Sequence, residues 1–148
     1  MSAPAPPPLL MTSAEVSAFL DREFPQLSEG GARLFELVSV GPMRAVMRMH
    51  AHSRNLRPGG TVSGPAMFAL ADVALYVAIL AQIGPVGLAV TTSLNINFLS
   101  KPQPGELLGE ARLLKLGKRL AVGEVFIRAP GEDSPVAHAT GTYSIPPR

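Results

Sequence analysis

The sequence has no cysteine, which excludes disulfides, thiolate nucleophiles and cysteine-based zinc sites and fits a reducing cytoplasm. Charge is scarce as well. Charged residues make up 16% of the 148 against 47% hydrophobic, so part of the apolar surface is expected to be covered by a second copy of the chain, as a homodimer or a dimer of dimers. The 13 basic and 11 acidic side chains leave a net charge of +2, and no dense basic run is present to serve a nucleic-acid surface. The opening MSAPAPPPLLM lacks the positive start and long apolar run of a secretory signal. Its prolines predict a disordered lead-in over residues 1–11, and the length predicts a single domain over residues 12–148.

What the sequence does contain is one long apolar stretch, Gly59 to Gln82, interrupted by a single charge, Asp72. Ahead of it, Thr12 with Glu15 three residues on predicts a capping box and a short amphipathic helix ending before Pro25. Leu34 to Val40 and Met43 to His50 flank Gly41-Pro42, and the second segment alternates, which predicts a two-stranded hairpin with one buried face. The apolar stretch itself predicts a helix over Gly64 to Ala81, with Pro65 in the first turn and Gly84-Pro85 as the stop. Four strands follow, over Leu88 to Leu99, Glu106 to Leu116, Arg119 to Arg128 and Val136 to Ile145, separated by turn-forming residues. In the last strand Ala137, Ala139, Gly141 and Tyr143 share one face. Helix, two strands, long helix and four strands make an α+β architecture, an antiparallel sheet wrapped around one central helix.

The helix is long enough to border on a membrane span. Asp72 at its centre opposes that reading, since an acidic residue there costs about 2.5 to 3.5 kcal/mol on insertion, and the sheet needs an apolar helix to fill its concave side. No membrane partner is therefore expected. A lone carboxylate in such a helix is either satisfied by a hydroxyl or backbone N–H, or it is used. Ser63 fits a helix N-cap. It does not fit a nucleophile elbow, because in Gly60-Thr61-Val62-Ser63-Gly64 the serine falls one place too late for G-x-S-x-G. His50 and His52 can share a face, but no carboxylate is signalled beside them and no metal site is expected.

The stretch GTVSGPAMFALADVALY, Gly60 to Tyr76, resembles the signature of the hotdog-fold thioesterases of the phenylacetate-pathway (PaaI-like) type. In that family a G-x-x-H-G-G step opens the central helix and an aspartate follows nine residues after the histidine, within L-A-D-x-A. Here Ser63 stands at the histidine position, Pro65 at the second glycine, and Asp72 nine residues after Ser63. The family asparagine six residues before the histidine falls on Arg57, with Asn55 close by. Downstream, LNINFLSKPQPGELLGEARLLKLGKRLAVGEVFI is similar to the family's strand, turn and Gly-Lys hairpin, so that the likeness covers roughly residues 35 to 145.

The resemblance implies a hotdog fold and hydrolysis of a small or medium acyl-CoA to free acid and CoA. Asp72 is implied as general base or nucleophile, the Gly64 N–H as the oxyanion donor, and Ser63 as whatever remains of the histidine's task. Thr91, supplied by the other subunit, is implied to hold the water, with Thr92 beside it. Around these, Asn55 and Gly60 in the loop and Lys101, Lys118 and Arg119 in or beside the turns are candidate substrate contacts, the basic ones for the CoA phosphates; Lys115 belongs to the same group of turn cations. No metal or redox cofactor is implied, and CoA enters only as part of the substrate. Ser63 in place of histidine motivates one alternative, a non-catalytic acyl-CoA or acyl-carrier binding protein on the same fold.

Overall fold

In order, the chain forms α1 (Ser13–Glu23), β1 (Phe35–Gly41), β2 (Arg44–His50), α2 (Gly64–Ile83), β3 (Val90–Phe98), β4 (Glu106–Leu116), β5 (Leu120–Arg128) and β6 (Ala137–Ser144). The computed structural model describes residues 8–27 and 34–147. These bounds lie within two residues of those the sequence predicts for every strand and for both helices.

Local chemistry accounts for the helix ends. In the capping box of α1, Glu15 N–H donates to Thr12 Oγ1 at 3.2 Å and Thr12 N–H to Glu15 Oε1 at 3.0 Å, so two otherwise orphaned donors are satisfied reciprocally. At the start of α2, Ser63 Oγ accepts the Ala66 N–H at 3.3 Å. At its end, Gly84 adopts φ +93, where a glycine avoids the strain a side chain would meet. Between the β1 and β2 strands, Met43 takes the left-handed φ of 59 and its N–H donates to the buried Gln82 side chain at 2.8 Å, which ties that turn to the last turn of α2.

All six strands pair antiparallel in the order β1-β2-β4-β5-β6-β3. The β2–β4 pairing brings the first hairpin against the later strands, so the sheet curls around α2, which touches every strand. Close packing shows where small residues are needed. A Cβ at Gly109 would sit 3.0 Å from Leu70, and one at Gly123 or Gly141 would come 2.6 or 2.8 Å from Leu75, nearer than the helix side chains allow. Although α2 is long and apolar enough to cross a membrane, 78% of its most apolar stretch is buried within the protein. It is a core helix.

The lead-in departs from expectation. Residues 1–7 lie outside the described residues; further on, the N–H groups of Leu10 and Met11 both donate to the Ala81 carbonyl, at 2.8 and 3.2 Å, and Met11 is buried. The last carbonyls of a helix have no partner within it, and this segment supplies one.

Candidate active site

Along α2 the burial is uneven. Every residue from Val73 to Ile83 is buried, whereas Pro65, Phe68, Ala69 and Asp72 are exposed or half-buried. Their spacing of three, four and seven residues puts them on one stripe, and that stripe is the side of the helix the sheet leaves open.

Asp72 is held there by two hydroxyls. Thr91 Oγ1 donates to Asp72 Oδ1 at 2.6 Å, and Tyr143 Oη lies 2.5 Å from the same oxygen and 2.7 Å from the Asp72 carbonyl. Among the described residues none donates to Oδ2, so one carboxylate oxygen is fixed and the other is available. Burial, followed by the negative charge of Asp72 and the hydrogen bond to it, pushes the Tyr143 phenol well above its ordinary 10.0. Tyr143 is consequently a permanent donor.

The resemblance implies a threonine from the other subunit; within this chain Thr91 itself already reaches Asp72. The cause is a bulge at Thr92. Thr91 pairs with Tyr143 but Ser93 with Thr142, so one extra residue is inserted and the alternation is reset. Thr91 therefore faces the helix together with Leu94 and Ile96, which pack on the core, although strict alternation would set them on opposite faces. Thr92, the inserted residue, is exposed and donates to the Thr142 carbonyl at 3.2 Å.

A cavity of about 330 Å³ opens at Asp72, lined by Phe24, Val73, Tyr76, Val90, Thr91 and Tyr143 among others. Its aromatic wall is braced. The Tyr76 and Tyr143 rings stack with centroids 6.4 Å apart, Phe24 meets Tyr76 edge-on at 5.9 Å, and Tyr76 Oη donates to the Gly87 carbonyl at 3.1 Å. Burial, with a smaller effect from Glu23, raises the Tyr76 pKa.

Gly64 borders a different cleft, of about 250 Å³, whose lining includes Arg57, Thr61, Met67, Phe98, Ser100 and Lys101. As the first residue of α2, Gly64 has an N–H with no partner inside the helix, and none is found elsewhere among the described residues. A Cβ here would press within 3.1 Å of the Phe98 ring. Eight residues separate Gly64 from Asp72, which at the helical rise is about 12 Å. One chain therefore does not bring both groups to the same atom.

The other expected residues fall as follows. Ser63 Oγ is engaged as the N-cap of α2. Asn55 uses its side-chain oxygen to accept the His52 N–H at 2.8 Å and its carbonyl to accept the Ser63 N–H; Arg57, and not Asn55, stands in the Gly64 cleft. Gly60, at φ +86, serves the turn into α2 and donates to the Arg57 carbonyl. Lys101 is in the Gly64 cleft. Lys118 and Arg119 lie in the β4–β5 turn, at the end of the sheet shared with Thr91 and Tyr143. His50 sits between Glu36 and Glu106, and His138 contacts Glu124 at 2.9 Å, both on the outer face of the sheet.

Tyr143, Tyr76 and Phe24 are absent from the sequence-derived site. For Tyr143 a signal existed. A tyrosine on an inward strand face otherwise made of Ala137, Ala139 and Gly141 must find a partner for its hydroxyl, and Asp72 is the one acidic residue in the helix below.

Residues 59–136 match the thioesterase superfamily. A candidate thioesterase from Silicibacter sp. TM1040 superposes with a TM-score of 0.84 at 47% identity, over 94% of each chain. The phenylacetic acid degradation protein PaaI of Thermus thermophilus, solved as a mutant, superposes with a TM-score of 0.69 at 25% identity, over 82% of this chain and 99% of that one. A Streptococcus mutans protein solved with acetyl-CoA shares the fold at a TM-score of 0.69 and 23% identity, over 77% of this chain and 90% of that one. With its central helix, its six-stranded sheet and more than half its length inside the matched region, the chain belongs to the thioesterase superfamily and has the hotdog fold.

Proposed function

We propose that this protein is an acyl-CoA thioesterase acting in the cytoplasm on small or medium acyl groups. The observation that carries the reading is the Asp72 carboxylate, fixed through Oδ1 by Thr91 and Tyr143 in an aromatic-walled cavity. Water held at Oδ2 attacks the thioester carbonyl carbon while Asp72 takes a proton from it. The developing oxyanion is met by an N–H at a helix start, where unsatisfied donors and the positive end of the helix dipole favour negative charge. The C–S bond then breaks, the acid is released, and the CoA sulfur leaves with a proton as the free thiol.

The 12 Å separation within one chain supports a reading in which that N–H comes from Gly64 of a second copy. An antiparallel arrangement of two α2 helices along their open stripes sets each Gly64 near the other copy's Asp72. The stripe and the edge strand support such an arrangement, with Phe68 40%, Phe98 51% and Val90 55% exposed, an apolar surface that a partner would cover. Arg57 and Lys101 beside Gly64 then meet the CoA phosphates as charge-assisted partners. The same fold holds acetyl-CoA in the Streptococcus mutans protein.

The decisive experiment follows release of free CoA from a panel of short, medium, branched and aromatic acyl-CoAs. Asp72→Asn is expected to lower release by about 10² to 10⁴ while leaving the melting curve intact; undiminished turnover removes the assignment. Saturable binding without thiol release in the unaltered protein would favour the binding-protein reading.

A further inference from the structure

A second cavity shares a wall residue with the first. About 280 Å³ in volume, it sits under α1, with Leu20, Phe24, Phe35, Leu37 and Met47 among its apolar lining and Ser17 and Asp21 on its polar side. Phe24 is also a wall of the Asp72 cavity. One half-buried side chain thus borders both spaces, and it meets Tyr76 edge-on. Its backbone is anchored, since the Phe24 N–H donates to the Leu20 carbonyl at 2.8 Å and the Phe24 carbonyl accepts from Leu27 at 3.2 Å. Phe24 is the side chain common to the two linings, and with its backbone held the ring is the part free to move.

Each cavity by itself is at or below the lower end of the roughly 300 to 1,000 Å³ usual for ligand pockets. Their chemistry gives the direction in which a substrate would lie. Among the described residues no basic side chain lines the Asp72 cavity, whereas Arg57 and Lys101 line the Gly64 cleft. The anionic CoA end belongs with the cations, which leaves the acyl end for the apolar route past Val73 and Tyr76 toward Phe24.

We propose that Phe24 is the residue that sets acyl-chain length. Chains that stop at its ring are housed by the Asp72 cavity, and longer chains are accepted only when the ring gives way to the chamber under α1. This rests on the thioesterase reading for the placement of the thioester, and the test keeps the two apart.

Binding is measured by calorimetry with a graded series of straight-chain acyl-CoA thioether analogues, which cannot be hydrolysed. In the unaltered protein the affinity gained per methylene ends at a defined chain length. Phe24→Ala should carry the gain beyond that length at about fourfold per added methylene, the value of burying one CH₂. Phe24→Trp should end it sooner. In the double variant Phe24→Ala with Ser17→Leu, which fills the second chamber, the gain should end again where it does in the unaltered protein. A generally loosened fold lowers all lengths alike and cannot move the break point in opposite directions.

The same break point in all variants, a uniform loss across lengths, or no effect of the Ser17→Leu plug would each overturn the proposal, as would failure of the unaltered protein to bind any analogue. Turnover of ordinary acyl-CoAs is followed in parallel. Hydrolysis with an unmoved break point sinks the role of Phe24 and leaves the thioesterase reading standing. A break point that moves as expected, without hydrolysis at any length, upholds the pocket and removes the enzyme.

Discussion

The two halves of α2 are made of the same kind of residue but do different work. From Val73 to Ile83 every residue is buried, with Val73 and Tyr76 touching the Asp72 cavity, while from Gly64 to Asp72 one stripe stays open. In the buried half a side chain is judged by its fit, as Leu75 is against Gly123 and Gly141. In the open half the polar groups matter more, with Asp72 midway along and an unpaired N–H at the start. Asp72 stands at the border, where hydroxyls from the sheet still reach it and a ligand can as well. A single apolar helix thus serves as both core and site because the sheet covers only part of it.

Substitutions should separate the two halves. Asp72→Asn is expected to have the largest effect, a fall in turnover of about 10² to 10⁴, the usual worth of a positioned general base, with little change in the unfolding midpoint. Leu75→Ala should do the reverse and cost about 2 to 5 kcal/mol of stability, read from urea unfolding, because the cavity it leaves is enclosed by helix and sheet. If Leu75→Ala left stability unchanged, the contrast between the halves would collapse.

Tyr143→Phe tests the border itself. Removing a hydrogen bond to a charged group costs about 1.5 to 3 kcal/mol, here expected chiefly as lost turnover. The substitution should also flatten the alkaline limb of stability. The folded protein holds the Tyr143 phenol above its ordinary 10.0, so the stability this gives is complete below that pH and is lost as pH rises beyond it. Urea midpoints on either side of that value should fall less in the variant, with Tyr76, raised in the same direction, supplying what remains. Ser63→Ala, which removes the N-cap of α2, is the mildest at about 1 kcal/mol, and a total loss of turnover would mean that the Ser63 hydroxyl does more than cap.

Much of this was legible in the sequence because it was locally encoded. The capping box at Thr12 and Glu15, the alternation in β2 and the Ser63 to Gly84 limits of the long helix depend on neighbours a few residues away. Asp72 was visible as a charge without company. What the sequence concealed depends on register. The bulge at Thr92 has no signature of its own, yet it turns Thr91 toward the aspartate of its own chain. Phe24 looks like any apolar residue at a helix end, and only the packing of α1 against Tyr76 sets it between two cavities. Leu10 and Met11 sit in a proline-rich segment whose composition gives no hint that the Ala81 carbonyl is waiting for a donor.

The hydrogen bond from Tyr143 joins residues 71 positions apart, against 19 for that from Thr91. A growing or refolding chain can therefore complete the surroundings of Asp72 only when β6 has docked, late in assembly, since contacts between distant segments must first overcome the entropy of closing the loop between them. Any intermediate that lacks the last strand carries the carboxylate without its second donor, so the finished surroundings of Asp72 mark the end of folding.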